Sequence, residues 1–71
     1  MANGELKITI KAARVNCGLT QREAAEAIGC SRESLQAYEC GKTIPNWAIV
    51  KRIEEVYGIP IDNLIFAGNL T

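Results

Sequence analysis

Few side chains in this sequence could take part in a reaction. There is no histidine, and the three cysteines, Cys17, Cys30 and Cys40, include no C-x-x-C pair. A zinc site needs about four nitrogen or sulfur ligands, and three widely spaced cysteines without a histidine do not supply that set. The sequence also has no clustered carboxylates and no glycine-rich phosphate loop. It therefore predicts a protein that is not an enzyme and that holds no metal and no cofactor.

Side chains suited to binding are concentrated near the middle of the chain. If residues 31–40 form a helix, Leu35 and Tyr38 point inward, one turn apart. The opposite side of that helix then carries Arg32, Glu33, Gln36 and Ala37. The polar members of this set offer hydrogen bonds to a partner, and the elements around them determine which partner that is.

Two short helices separated by a glycine would position this segment. Thr20, with Glu23 three residues later, forms a capping box that begins a helix over 21–28. Ser31 can cap the second helix, and Gly29 lies where the chain must turn, because glycine takes positive φ at little steric cost. A helix, a tight turn with glycine and a second helix are the layout of a helix-turn-helix, whose second helix enters the DNA major groove.

Further helices are predicted on either side of this pair. The apolar spacing over 9–17 predicts a first helix. The residues before this helix alternate between apolar and polar, which fits a short strand, so both a strand and a non-regular structure stay open for them. Asn46 can cap a fourth helix that ends near Tyr57, with Trp47 on its buried face. A short fifth helix is predicted over 61–66, after a proline suited to a first turn.

The run from Leu19 to Pro45 carries a family resemblance. It reads L-T-Q-x-x-x-A-x-x-x-G-x-S-x-x-x-L-x-x-Y-E-x-G-K-x-x-P, with x at unmatched positions. This pattern resembles the lambda-repressor-like helix-turn-helix domain of the XRE or Cro/cI type. The resemblance spans about residues 6–66 and implies an all-α fold, a compact five-helix bundle. Ala24 stands where the family usually has leucine, and Trp47 is expected to fill that space.

The resemblance also implies roles for the polar side chains. Residues 31–40 would be the recognition helix, and its base contacts would be Arg32, Glu33, Gln36 and Ala37. The resemblance implies phosphate contacts for Gln21 and Lys42, and Gln21 would also buttress the recognition helix. Two other cations, Arg22 and Lys11, are further candidates for phosphate contacts. Arg14 and Glu39 match the positions of a partly buried ion pair that ties the first helix to the third.

Each of these side chains also has a plainer interpretation. Arg32 can bond guanine O6 and N7 with two N–H groups, or it can be a solvated surface arginine. Gln36 can pair with adenine or bond a phosphate, and Ala37 can touch a thymine methyl or simply permit close approach. Glu33 can accept a hydrogen bond from cytosine, favour the positive helix N-terminus, or exclude wrong sequences. For the three cationic phosphate candidates, the plainer interpretation is a solvated face.

The length and the charge of the chain limit the number of domains and the kinds of partner that it can have. Its 71 residues, with 48% hydrophobic residues, predict one domain over 1–71 that can build a core. No apolar run reaches membrane-spanning length and there is no signal peptide, so we expect a cytoplasmic protein without a membrane partner. Lys plus Arg number 8 and Asp plus Glu number 8, which gives a net charge of zero. A DNA-binding surface usually carries positive charge, so the few basic residues would have to lie on one face.

Two hypotheses of function follow. The first is a sequence-specific DNA-binding transcriptional regulator, a repressor of phage or mobile-element type, that binds double-stranded DNA as a homodimer. A surplus of apolar residues near the C-terminus favours a dimer interface there. Its members are Ile49, Ile61, Ile65, Phe66 and Leu70. The alternative for this surface is a tail that folds back over its own core. The second hypothesis, a protein-interaction module of antitoxin or anti-repressor kind, is kept open by the neutral charge.

Overall fold

The computed structural model describes residues 7–66, which are mostly helical. The elements in chain order are β1 (Ile8–Thr9), α1 (Ile10–Asn16), α2 (Gln21–Ile28), α3 (Arg32–Cys40), α4 (Trp47–Tyr57), a 3-10 turn (Ile61–Asn63) and β2 (Leu64–Ile65). None of the helices in this part of the chain has the length and apolar character needed to cross a membrane.

Side-chain caps set where the helices begin. The hydroxyl of Thr20 accepts a hydrogen bond from the Glu23 backbone N–H (3.1 Å), and Glu23 Oε1 accepts one from the Thr20 N–H (2.9 Å). Ser31 caps α3 and Asn46 caps α4 in the same way, each by accepting from the backbone N–H three residues on. Gly29 ends α2 with φ of 96°, the left-handed conformation that glycine takes without strain. These boundaries confirm the predicted helix-turn-helix.

The two ends of the described chain meet in a small parallel sheet. Ile8 pairs with Leu64, and Thr9 pairs with Ile65. The predicted fifth helix over 61–66 is therefore wrong, because one 3-10 turn is followed by extended chain. The alternating pattern before α1 was the signal of its partner strand. Strand pairing gives hydrogen-bond partners to the backbone N–H and C=O groups of both strands. In a short terminal helix, most of these backbone groups would have no partner within the helix.

In residues 7–66, the hydrophobic core is formed by the four α-helices, by β2 and by Phe66, which follows β2. Its buried members are Ile10, Ala13, Ala24, Ala25, Ile28, Leu35, Val50, Ile53, Tyr57, Leu64 and Phe66. Ala24 is fully buried on α2, which packs against both α3 and α4, so its small side chain allows these helices to approach closely.

Trp47 does not belong to this core, and the prediction that it fills the space beside Ala24 is wrong. Its side chain is 64% exposed at the first residue of α4. The buried stripe of that helix begins one turn later, at Val50. Lys51 instead lies over the indole ring, 5.8 Å from its centroid. An apolar residue at the end of a helix can satisfy the helical spacing and still project beyond the core.

The three cysteines are free thiols in different environments. Cys17 and Cys40 are exposed, whereas Cys30 is half-buried and packs against the core. Burial raises the pKa of the Cys30 thiol, which favours the neutral form expected of a small packing residue. In residues 7–66, no group of three or more histidine, cysteine or acidic side chains could hold a metal ion.

Candidate nucleic-acid interface

The outer side of α3 presents the residues for which base contacts are predicted. Leu35 is fully buried on the inner side, while Arg32, Glu33 and Gln36 are exposed and Ala37 is half-buried. An open depression lies along this outer side. Its lining residues are Glu33, Gln36, Ala37, Cys40 and Lys42. Cys40 is a lining residue that sequence reasoning did not propose, although its place one turn after Gln36 and Ala37 on the helix is a signal that could have found it.

The end of α3 fixes Lys42 beside this depression. Gly41 follows the helix with φ of 81°, and the Lys42 backbone N–H then donates to the Ala37 carbonyl (2.9 Å). This hydrogen bond turns the chain at the last turn of the helix, so the Lys42 side chain leaves from the rim of the outer face. The lining of the depression thus includes one acidic residue, Glu33, and one basic residue, Lys42.

The cations of the described chain fall into an engaged group and a free group. Two cations are engaged in ion pairs, Arg14 with Glu39 and Lys51 with Glu54. Three others donate hydrogen bonds to oxygen atoms, namely Arg52 to the Ala27 carbonyl, Lys7 to the Asp62 carbonyl and Arg32 to the Gln21 side chain. Within residues 7–66, the charged ends of three exposed side chains make no ion pair or hydrogen bond. They are Lys11, Arg22 and Lys42, all of them predicted phosphate contacts. Their positive charge is therefore available to an outside anion.

A buried ion pair joins α1 to the end of α3. Arg14 Nε lies 2.8 Å from Glu39 Oε2, and the two side chains are only 10% and 3% exposed. Arg14 Nη1 also donates to the Leu19 carbonyl (2.9 Å), just before α2. The guanidinium group of Arg14 on α1 thus bonds both to Leu19 ahead of α2 and to the last turn of α3. The predicted partners Arg14 and Glu39 are in contact.

Gln21 is bonded at both ends of its carboxamide. Its Nε2 donates to Glu39 Oε1 (3.0 Å), and its Oε1 accepts from Arg32 Nη1 (3.3 Å). The predicted buttress between α2 and α3 is therefore made through Glu39 and Arg32. Sequence reasoning did not foresee that one carboxylate serves both Arg14 and Gln21, because no spacing along the chain signals this contact.

Tyr57 lies next to this polar cluster from the side of α4. Burial raises its pKa to about 12, and the negative charge of Glu39 adds to the shift. The phenolic oxygen is buried and has no hydrogen-bond partner in the part of the chain that the structure describes. An unpaired buried hydroxyl opposes folding, so the aromatic ring and not the hydroxyl is the stabilising part of this residue.

We expect Tyr57→Phe to raise the stability at neutral pH by about 1 kcal/mol, because it removes a buried hydroxyl without a partner. The wild-type protein should also lose stability between pH 10 and pH 12. In that range the unfolded tyrosine ionises at its ordinary value of 10.0, while the folded one keeps its proton until about 12. The ionisation of Tyr57 therefore leaves stability unchanged below pH 10, and it lowers the free energy of unfolding by about 1.4 kcal/mol per pH unit between pH 10 and pH 12.

Urea melts of wild type, Tyr57→Phe and Tyr38→Phe across pH 7 to 12 check this prediction. Tyr38 is half-buried at the end of α3, so its variant controls for the loss of any tyrosine hydroxyl. The alkaline loss of stability should be smaller in Tyr57→Phe alone. An identical loss in all three proteins would contradict the account of Tyr57.

The predicted dimer residues differ in what they offer to a second chain. Phe66 is 4% exposed and belongs to the core, so its assignment to a surface is corrected. The chain stays extended through β2, and side chains two residues apart therefore face the same way, so that Leu64 in β2 and Phe66 just after it are both buried. A helix over 61–66 would not have placed these two residues on one face. The residues of this set that remain partly exposed are Ile49, Ile61 and Ile65, of which Ile49 and Ile61 also pack against the core. Leu70 lies outside the described residues.

Comparison with known proteins identifies this arrangement of helices. The helix-turn-helix family profile matches residues 10–64, from the start of α1 to the start of β2. The chain belongs to the XRE-type helix-turn-helix family. No solved structure matches the chain significantly.

The helix-turn-helix relatives include both regulators and bridging factors. The chain is 36% identical over 56 residues to the cryptic phage CTXphi transcriptional repressor RstR of Vibrio cholerae, covering 79% of this chain and 50% of that protein. It is 41% identical over 54 residues to multiprotein-bridging factor 1a of Arabidopsis thaliana (76% and 38%). It is 37% identical over 57 residues to the endothelial differentiation-related factor 1 homolog of Danio rerio (80% and 39%). The chain therefore spans half or less of the length of these relatives.

Proposed function

We propose that this chain is a sequence-specific DNA-binding transcriptional regulator that inserts α3 into the major groove of double-stranded DNA. The observation that carries the proposal is the outer face of α3. Polar side chains there are exposed above a helix anchored by buried Leu35, and the free cation Lys42 stands at its end. A helix presented in this way fits the major groove, and its side chains reach base edges from the first turns.

Arg32 and Gln36 supply the base-reading chemistry on this face. Arg32 begins α3, and only its Nη1 is engaged, with Gln21, so its other N–H groups can bond guanine. Gln36 lies one turn further and can pair with adenine. Ala37 allows close approach and can contact a thymine methyl group. Glu33 accepts a hydrogen bond from cytosine N4 in this proposal, and it repels a phosphate or a guanine that is out of register.

Phosphate contacts supply most of the affinity in this proposal, since they neutralise backbone charge and release counterions. The side chains that make them are Gln21, Lys42, Arg22 and Lys11. The three cations are free of internal partners in residues 7–66, whereas the cations of α4 are engaged within the protein. A chain with a net charge of zero can still bind DNA when its unpaired cations are the ones that contact phosphates and the cations of α4 are engaged within the protein.

The regulator acts as a homodimer and represses by occluding a promoter. Two copies related by a twofold axis would place their α3 helices in half-sites about 34 Å apart. The partly buried isoleucines Ile49, Ile61 and Ile65 form the interface between the copies. A relative that is a phage transcriptional repressor supports a repressor of phage or mobile-element type.

Selection of duplexes from a random pool by the purified chain tests the proposed function. We expect enrichment of an inverted repeat with half-sites one helical turn apart. Sedimentation of the selected complex should give two chains per duplex. Recovery of a pool that stays random after repeated rounds would contradict sequence-specific binding.

We expect Lys42→Ala to weaken binding to every duplex by a similar factor. Loss of one phosphate contact per protomer should reduce the slope of log Kd against log salt by about 1 per protomer. Fluorescence anisotropy at several salt concentrations, with the selected duplex and with a scrambled one, measures both effects. Lys51→Ala is the matched control, because Lys51 is engaged with Glu54 and with the Trp47 ring. Equal salt slopes for wild type and Lys42→Ala would exclude the phosphate contact.

The second candidate function is a protein-interaction module of antitoxin or anti-repressor kind with weak DNA binding. Similarity to a multiprotein-bridging factor and the neutral net charge favour it. Retention on heparin and on random duplex at low salt separates the two candidates. A regulator should be retained on both, whereas a module that binds only protein should pass through.

A further inference from the structure

A series of four polar side chains runs from α1 to the outer side of α3. Arg14 Nε donates to Glu39 Oε2 (2.8 Å), and Gln21 Nε2 donates to Glu39 Oε1 (3.0 Å). Gln21 Oε1 then accepts from Arg32 Nη1 (3.3 Å). The ion pair at one end is buried, while Arg32 at the other end is exposed. The series therefore connects a buried charge to a side chain of the proposed base-reading surface.

The charge of Glu39 determines which way the Gln21 carboxamide faces. An ionised carboxylate only accepts hydrogen bonds, so it can pair with the Nε2 end of Gln21 and not with the Oε1 end. Oε1 is thereby directed toward Arg32, whose guanidinium group only donates. If residue 39 were a neutral amide, either end of Gln21 could face it. Arg32 would then lose its acceptor for part of the time.

We infer that Glu39 is a positioning residue, which through Gln21 sets the orientation in which Arg32 meets a base pair. The inference rests on the proposed function, because base preference is a property of DNA binding. Arg32 contributes Nη1 to Gln21, and its remaining N–H groups make no hydrogen bond within residues 7–66. A planar guanidinium group held at one nitrogen presents its other donors in a restricted direction, which favours one base edge over another.

Glu39→Gln tests the inference because it keeps the size of the side chain and removes its charge. Kd is measured for the selected duplex and for duplexes changed at each base pair, at a temperature where circular dichroism shows the variant fully folded. Discrimination at the base pair that Arg32 reads should fall at least fivefold, out of the roughly 5- to 150-fold that such a contact provides. Glu55→Gln is the matched control, since Glu55 is exposed on α4, and it should keep the wild-type preference. An equal loss on all duplexes, or no loss, would overturn the inference.

A second variant covers the case in which Glu39→Gln does not fold. Gln21→Leu breaks the link to Arg32 and leaves Arg14 and Glu39 paired. It should reduce discrimination at the same base pair as Glu39→Gln does, in addition to any uniform loss of affinity from a missing phosphate contact. Undiminished discrimination at that base pair would overturn the inference.

A third measurement needs no DNA. NMR relaxation of the Arg32 Nε–H group in the free protein reports how firmly the side chain is held. Its order parameter should fall in Glu39→Gln or Gln21→Leu and remain at the wild-type value in Glu55→Gln. An unchanged order parameter overturns the inference about Glu39. Failure of the wild-type chain to select any duplex overturns the proposed function instead, so the two failures are distinguishable.

Discussion

Glu39→Ala is expected to lower the free energy of unfolding by about 3–5 kcal/mol, because it leaves the buried guanidinium group of Arg14 without its counter-charge. The carboxylate is 3% exposed and accepts hydrogen bonds from both Arg14 and Gln21, so water cannot easily replace it. A domain of this size has a total stability of only about 3–5 kcal/mol from its core. The variant should therefore be largely unfolded at 25 °C, and thermal melts by circular dichroism measure the change.

Two further variants separate the ion pair from general effects of substitution. Glu55→Ala removes an exposed carboxylate from α4 and should change stability by less than about 0.5 kcal/mol. The double variant Arg14→Met with Glu39→Leu replaces both charges by apolar groups and should recover part of the loss, because no charge is left buried and unpaired. Equal melting temperatures for Glu39→Ala and Glu55→Ala would rule out an energetic role for the pair.

Arg32→Ala is expected to abolish discrimination at one base pair of each half-site. An arginine bonded to guanine by two N–H groups provides about 1–3 kcal/mol of discrimination, so the preference measured at that base pair in either half-site should fall by about this amount. The reason is geometric, since Arg32 begins α3 and only one of its guanidinium nitrogens is used within the protein. Competition binding with a panel of duplexes, each changed at one base pair, measures the preference position by position.

Arg22→Ala is the matched control for this prediction. Arg22 is also an exposed arginine, one residue after Gln21 on α2, but its proposed partner is a phosphate. Its removal should weaken all duplexes of the panel by similar factors and leave their ranking intact. If Arg32→Ala also preserves the ranking, Arg32 is not a base reader and the preference must come from elsewhere on α3.

Short-range signals in the sequence predicted the helix-turn-helix well. Each helix cap is a hydrogen bond between residues three positions apart, as at Thr20, Ser31 and Asn46. A cap therefore depends only on residues that are close in the sequence. The positive φ of Gly29 is a local requirement of the same kind. For this reason the bounds of α2 and the cap of α3 could be predicted before any tertiary contact was known.

Long-range contacts explain where the sequence-based prediction failed. The pairing of β1 with β2 joins residues near opposite ends of the described chain, and nothing in the run over 61–66 specifies that partner. Trp47 has the helical spacing of a core residue but projects past the end of the packed layer. The contact of Gln21 with both Glu39 and Arg32 depends on how α2 and α3 are set against each other, which spacing alone does not fix.

Chemical-shift mapping with the selected duplex tests the central claim most directly, namely that the outer face of α3 is the DNA-reading surface. Backbone amide signals of the labelled protein are followed as duplex is added. We predict that the largest shifts fall in residues 31–42 and at Gln21, with the free cations Arg22 and Lys11 next. Large shifts confined to the exposed and half-buried residues of α4 and the 3-10 turn, with α3 unchanged, would contradict the claim.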